Sequence, residues 1–499
     1  MVKGLRATIF ASRLYDLSLG TAAARPDAVP ADVLGIPGDG EAGEDGLAWL
    51  DALDETADAE TLTQARERLT AWIAANRQWR ADTWRGDLLG ERLTRIVPRF
   101  ALLTAGAPAA FEAALAASLG RQARHLLRLP AADRAAVDPF RAIGGAIMAA
   151  RYLPAFKTRL ADMVTELVDE IPRRVFPDGG HLARQPARHM MALAALVRVR
   201  RILHGGPLAC PELLQNAIDR MAPLLRAYLQ GDGGFALLNG GGEGDPATVQ
   251  RLLELTESRA KPAASAPHTG FYRIQSQRSV ILFDAGAPKA TPLVAGHAGT
   301  LAFEMSVGPH RMIVNCGGGP QLPTSLREAL RATAAHSTLT VADINSSDLV
   351  PGGFGPRRAV NVTARRREHD RSILVEASHD GYDETFGISH RRLLYLARDG
   401  LDLRGEDVLD AETGTGRTFD IRFHLHPDVD ASLAAGGRSA LLRLPTGRGW
   451  RLSISDGTLA LEESIYAGGA TPRPSRQIVI TGRHARRRTI TKWRIAREG

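Results

Sequence analysis

The chain has 499 residues, 44% hydrophobic and 24% charged, so wholesale disorder and a collagen-like chain are excluded. The formal net charge is +8, and of 63 basic residues only Lys3, Lys157, Lys261, Lys289 and Lys492 are lysines. That arginine skew has two readings. It reflects genomic base composition, or it serves an anionic partner, since guanidinium forks match carboxylates and sulfates in pairs.

In chain order, Lys3 and Arg6 precede an apolar stretch, as in a secretory leader, but Arg13 and Asp16 interrupt it. No clear signal peptide is therefore expected. No run reaches the roughly 18 apolar residues of a membrane span. Residues 1–45 read as an N-terminal extension. Residues 46–260 read as helices, with apolar residues at i, i+3, i+4 and i+7 in segments such as LTQARERLTAWIAANRQW, RAIGGAIMAARYL and RHMMALAALVRVRRILHG. Helix after helix without an intervening strand predicts a bundle or toroid. Residues 231–267 read as punctuation: GDGGFALLNGGGEGDP is glycine-rich and KPAASAP resembles a linker. A long glycine-rich loop also has a functional reading.

From Phe271 the period becomes two. YRIQSQRSVILFDAG, TLAFEMSVGPHRMIVNCGG, RSILVEASHDG, TFDIRFHLHP and RTITKWRIAR alternate polar and apolar residues, separated by turns such as Gly308-Pro309 and Asp399-Gly400. Successive strands of this kind predict antiparallel sheets, so residues 261–499 are expected to form a β-sandwich. Cys210 and Cys316 are too few for a disulfide framework or a four-cysteine zinc site, and both read as small buried residues. GxSxG, Walker A, dinucleotide and HExxH motifs are absent. The basic run RHARRRTITKWR reads as an exposed strand face rather than a nucleic-acid site.

Several strings fall in a telling order: DGGHLARQPARH at 178–189, GHAGTLAFEMS at 296–306, RMIVNCGG at 311–318, RATAAHSTLTV at 331–341, SHDGY at 378–382, HRRLLYL at 390–396 and RFHLHPDV at 422–429. The set resembles the heparinase II/III-like polysaccharide lyases. The resemblance implies an incomplete (α/α) toroid followed by an antiparallel β-sandwich. It also implies an enzyme that cleaves uronic-acid-containing polysaccharide, such as a glycosaminoglycan, by β-elimination in a cleft between the domains. The family usually acts in the periplasm or cell envelope; without a clear leader, the cytoplasm is the alternative. An acidic polysaccharide is the expected partner, and oligomeric state is left open.

Such a lyase must neutralise the uronate carboxylate, remove the C5 proton and protonate O4, work suited to Arg, Asn, His and Tyr and needing no redox cofactor. By resemblance, His189 is the cleft histidine, for carboxylate binding or proton transfer, against a plain helix-start residue. His297 matches the second histidine of a His-x-His pair whose catalytic first member falls on Ala295, and the aspartate that follows falls on Gly299. His297, Asn315 and His336 match a structural zinc site of some members, although an amide is a poor zinc ligand. Arg184 and Arg331 are candidates for the substrate carboxylate, with Asn239 and His379 beside it. No tyrosine stands at the family's spacing in the loop; Tyr272, Tyr228 and Tyr382 are the candidates, with Tyr272 preferred. His424 and His426 read as a packed pair. The missing histidine, aspartate and tyrosine leave a second reading, a catalytically altered member that binds an anionic envelope glycan.

Overall fold

The computed structural model describes residues 23–30 and 45–498. The stretch weighed as a leader, and most of the N-terminal extension, thus lie outside the described residues. The chain packs as two compact units. One contains the described residues up to Arg174 with Met191–Asp219 and Arg251–Glu257; the other contains Val175–Met190, Arg220–Gln250 and the chain from Ser258 onward. The units therefore do not divide at one point near residue 260. Two short excursions, one holding His189 and one the glycine-rich loop, belong with the strands.

The first unit is helical, as the 3.6 periodicity predicts. Asp58 caps Ala59–Ala75 by accepting the Thr61 N–H, and Asp138 with Pro139 starts Pro139–Tyr152. Gly86–Thr104 and Pro139–Tyr152 cross at glycines. A Cβ on Gly145 would stand 2.2 Å from the Gly90 Cα, so only glycine admits this approach. The apolar stripes Leu89, Leu93 and Ile96 and Ile143, Ala146 and Ile147 are buried. Residues 231–267 are not all punctuation. Asp245 accepts the Thr248 N–H and caps a helix over Pro246–Leu255, whose Val249, Leu252 and Leu253 are buried. Among the described residues no helix is long and apolar enough to cross a membrane. Cys316 is buried as expected, but Cys210 is exposed, because the segment 205–210 turns outward before Glu212–Ala227 begins.

The second unit holds two large antiparallel sheets and a two-stranded one, Leu349–Val350 with Gly353–Phe354. The nine-stranded sheet runs Ser265–Ala266, Phe271–Ser276, Ser279–Asp284, Phe303–Val307, His310–Val314, Thr418–Leu425, Arg473–Arg483 and Thr458–Tyr466, with Leu339–Val341 also paired to Thr418–Leu425. The eight-stranded sheet runs Asp430–Leu433, Ser439–Arg443, Gly449–Ile454, Arg488–Arg497, Asp402–Asp410, Ile388–Ala397, Ser372–Tyr382 and Thr363–His369. Their inner faces share one core, a sandwich as expected. Across it, Trp493 stacks on Phe303 at 5.5 Å and meets the Phe423 edge at 4.9 Å. Gly405 makes room for Trp493, since a Cβ there would approach the indole to 2.0 Å. The edge strands Thr458–Tyr466 and Thr363–His369 escape sequence reading because half-solvated edges do not alternate cleanly.

A charged network is sealed into this core. Asp407 accepts Arg392 Nε at 2.7 Å, His390 Nε2 at 2.8 Å and Trp493 Nε1 at 2.8 Å. Arg392 also donates to the carbonyls of Leu301 and Ser337, joining both sheets. Asp407→Ala would strand the Arg392 guanidinium in the core. We expect a loss of about 3–5 kcal/mol in urea unfolding, partly restored by adding Arg392→Met.

Candidate functional site

Arg184 and His189 flank the start of the helix Pro186–Leu203. Arg184 holds a left-handed backbone, φ 51°. Its guanidinium donates to the carbonyls of Thr269 at 2.6 Å and Ala287 at 3.0 Å, pairs with Asp284, and lies over Phe271. Expected to meet substrate, it is instead spent on the fold. Asn239, also left-handed, donates to the Arg184 carbonyl at 2.8 Å and to Asp284 at 3.3 Å, while its own carbonyl accepts Gln185. His189 is fully buried; Nε2 lies 2.9 Å from the Met221 carbonyl, and Nδ1 has no protein partner among the described residues. Burial pushes its pKa down to about 4, so the ring is neutral. The tyrosine beside it is Tyr228, edge-on at 5.3 Å, with its hydroxyl likewise unpartnered. Tyr272 lies in the sandwich core, its pKa raised by burial, and takes no part in that pairing.

The histidine pair forms as the motif spacing suggests. His336 Nδ1 lies 2.8 Å from the Ala332 carbonyl, which makes it the protonated nitrogen. His336 Nε2 then accepts from His297 Nδ1 at 3.1 Å. The His297 ring also bonds the Leu330 carbonyl, and its Nε2 faces Gly240, where a Cβ would come within 2.3 Å. Burial, then His336 and Arg331, hold His297 well below its ordinary pKa; burial takes His336 down to about 4. A Cβ on Gly299 would meet the His336 ring at 2.6 Å, so the family's aspartate has no room here without a shift. The expected third zinc ligand is engaged elsewhere. Asn315 Nδ2 donates to Glu304 at 3.2 Å and Oδ1 accepts the Ser337 N–H at 2.9 Å. Among the described residues no three His, Cys, Asp or Glu side chains are grouped to hold a metal. The donor set does not fit a tetrahedral zinc.

Two further candidates are structural in placement. Arg331 is buried and donates to the carbonyls of Gly296, Val350, Ala295 and Gly353 while pairing with Glu328, so all its reach goes into tying loops. His379 lies in the core, accepting the Gly381 N–H and joining His390 at 3.1 Å, which continues to Asp407. A motif shows only that a polar residue is needed, not whether it faces ligand or core.

A different constellation gathers at the glycine-rich loop. Its buried anchor is Glu304, which accepts the N–H groups of Leu237 at 3.0 Å and Asn315 at 2.9 Å and the Gln230 amide at 3.1 Å. Arg311 fixes the same loop through Asp232 at 2.6 Å and the Phe235 carbonyl at 2.7 Å. The loop end is then held by the Glu243 N–H on the Gly468 carbonyl, and Tyr466 donates its hydroxyl to the Glu243 carboxylate. His426 packs edge-on to Tyr466 at 4.8 Å, with Nε2 4.0 Å from Glu243 and Nδ1 3.6 Å from Asp428. Burial lowers the His426 pKa, and burial raises that of Tyr466, so both are neutral. Unlike the sequence-assigned histidines, this group reaches solvent: the Glu243 side chain is 33% exposed and His426 12%. His424, expected to pair with His426, instead bonds Ser464 at 2.7 Å and the Ala334 carbonyl at 2.9 Å. Tyr466, in SIYAGG, carries no motif. The signals available were the loop's length and glycine content.

Comparison with known proteins places this geometry. A model of the C-terminal region of heparinase II/III-like proteins matches residues 258–494. FtsZ-localized protein C of Caulobacter vibrioides (strain NA1000 / CB15N) is 30% identical over 428 residues, 82% of this chain and 73% of that protein. The chain belongs to the heparinase II/III-like family. Heparinase III superposes with a TM-score of 0.74 at 11% identity, over 94% of this chain and 79% of that one. Heparan sulfate lyase HepC from Pedobacter heparinus gives 0.63 at 15%, over 91% and 76%. Streptomyces coelicolor A3 chondroitin AC lyase, in complex with chondroitin sulphate, gives 0.53 at 12%, over 99% and 79%. At these identities the likeness is one of fold, an α toroid with a β-sandwich, as the sequence implied.

In this heparinase II/III-like chain the loop anchor is also titratable. Burial raises the Glu304 carboxyl to about 7, against the pull of Arg311 and the amide donors. Between the ordinary glutamate value, about 4.3, and that level, the folded protein keeps a proton that the unfolded chain has released. The group's contribution to stability therefore falls as pH rises through this window. Glu304→Gln keeps the shape, and its new N–H₂ can donate to Gln230 Oε1, which lacks a partner now and meets it once the Gln230 amide turns over. Urea midpoints at pH 5 and pH 8 should show wild type losing on the order of 2 kcal/mol relative to the variant.

Proposed function

We propose that the protein acts on an acidic, uronate-containing polysaccharide of the cell envelope by β-elimination, at the Tyr466–Glu243–His426 cluster. The observation that carries this reading is a neutral imidazole beside a phenol held by a carboxylate, in a group that solvent reaches. Neutral His426 takes the C5 proton, the C4–O4 bond breaks as the C4–C5 double bond forms, and Tyr466 gives its proton to O4. Glu243 positions that hydroxyl. Arg311 and Arg473, the latter paired with Asp428 at 2.6 Å, supply positive field for the uronate carboxylate. No redox cofactor enters the scheme.

The alternative is a non-cleaving member that binds an anionic envelope glycan. It is favoured by the burial of His189, His297 and His336, the engagement of Arg184 and Arg331 within the fold, and Ala295 where the family has its catalytic histidine. The name of the Caulobacter relative describes a location rather than a reaction, which accords with it. The two readings part on one experiment. Heparan sulfate, chondroitin sulfate, hyaluronan, alginate and bacterial exopolysaccharides are incubated with the protein while the absorbance of unsaturated uronyl ends is followed. Turnover is expected, and Tyr466→Phe should lower kcat by about 10²–10⁴-fold with folding intact. Binding without product across the panel rejects the lyase in favour of the binder.

A further inference from the structure

Several turns of the second unit meet around a pocket of about 360 Å³ that shares no residue with the Tyr466 cluster. It is walled by Arg278, Arg448 and Arg497, with Gln277, Leu401 and Trp450. The turns are fastened to one another before any ligand arrives. Ser276 Oγ donates to the Arg398 carbonyl and Ser279 Oγ to the Gly400 carbonyl, each at 2.6 Å. The Gly308 N–H bonds the Arg278 carbonyl at 2.7 Å, and the Arg497 N–H the Leu401 carbonyl at 3.0 Å. A Cβ on Gly308 would stand 2.7 Å from Arg278 Nη2, so that turn leaves a space which the guanidinium fills.

The charges of this pocket are unanswered. The buried Arg184, Arg311, Arg331 and Arg392 are each met by a carboxylate or a carbonyl. Arg278, Arg448 and Arg497 are exposed, and none makes a side-chain hydrogen bond or ion pair among the described residues. Glu498, next in sequence to Arg497, is taken by Arg451 at 2.5 Å. Asp399, the acidic group of the lining, accepts the Leu401 N–H at 2.8 Å within its own turn. Trp450 is fully buried in the wall, and its indole N–H has no acceptor. Like charges around one pocket repel, and the unpaired guanidinium donors have only water to satisfy them. Guanidinium forks of this kind match a carboxylate or sulfate. The volume falls at the lower end of small-ligand pockets, roughly 300–1,000 Å³, well beyond a bare oxyanion. The exposed Leu401 side chain gives a sugar ring an apolar edge, and the Gln277 amide a partner for hydroxyls.

We propose that this pocket is a second carbohydrate site, holding one carboxylated or sulfated sugar residue of an acidic glycan away from the reacting centre. The choice of a sugar over another oxyanion carrier rests on the lyase-fold reading above; the donor set itself does not. A chain held at two places on one unit is bound with the effective concentration of a tether, so modest affinity at each suffices.

The test uses the full chain and size-defined heparan sulfate and alginate oligosaccharides, titrated calorimetrically into wild type, an Arg278→Ala/Arg448→Ala double variant and Tyr466→Phe. The double variant should bind at least about tenfold more weakly, with a shallower dependence on salt. It should melt at the wild-type temperature, since both side chains are exposed and unpaired. Arg278→Lys/Arg448→Lys, which keeps charge without the forks, should fall between. Tyr466→Phe should keep the arginine-dependent binding whether or not it abolishes product, so the two proposals fail separately. Wild-type affinity in the double variant overturns the site. So does a wild type that binds no acidic oligosaccharide. Binding of inorganic sulfate or phosphate alone, with the same arginine dependence, overturns the sugar assignment.

Discussion

The glycine-rich loop hangs on one buried carboxylate. Glu304 leaves its strand to accept the Leu237 and Asn315 N–H groups and the Gln230 and Asn315 amides. Much of the second unit follows from that. With its nitrogen drawn to Glu304, Asn315 aims its oxygen at the Ser337 N–H, and so is withheld from the His297–His336 pair. With Leu237 fixed, the chain reaches Asn239 and Gly240, which close over Arg184 and His297. Beyond them the loop delivers Glu243 to Tyr466. Burial makes this carboxylate costly to ionise, and its amide donors and Arg311 offset that only in part, which is why its pKa sits near 7 rather than in the usual range.

The sequence foretold the architecture because both periods are strong. Helical segments in the first half bury one stripe, and strands in the second bury alternate residues, as Ile388–Ala397 does along its whole length. The motif order also located the neighbourhood: His189, Asn239, His297, Asn315 and His336 all lie in the second unit. What the strings could not convey is orientation. Arg184 and Arg331 look alike in sequence whether they face a substrate or a ring of carbonyls. Tyr272 and Tyr228 differ only in which strand or helix end carries them, and it is Tyr228 that meets His189. Tyr466 was invisible because its partners, Glu243 and His426, are 223 and about 40 positions away in the chain.

The arginine excess resolves into distinct physical uses. Arg392 and Arg311 neutralise Asp407 and Asp232 and join separate segments, work for which a planar five-donor fork is better suited than an ammonium. Others, such as Arg488 on Asp410, sit in exposed pairs worth little. Three more, Arg278, Arg448 and Arg497, line one pocket with side chains that have no protein partner among the described residues, around turns that are already locked.

Burial sets how the chemistry must be apportioned. A histidine that is to move a proton near neutral pH cannot be sealed where its charged form is forbidden, and His189 and His336, each near 4, are so sealed. His297 is engaged by His336 and the Leu330 carbonyl and packs against Gly240. Within the family's fold these positions have become the packing that shapes the loop. On the lyase reading proposed above, proton transfer falls to His426, neutral and reachable, and to Tyr466, whose hydroxyl donates to Glu243. The family's first histidine and the aspartate that follows fall on Ala295 and Gly299 in this chain. What the strings carry here is the scaffold that holds the glycine-rich loop, and the loop in turn brings Glu243 to Tyr466.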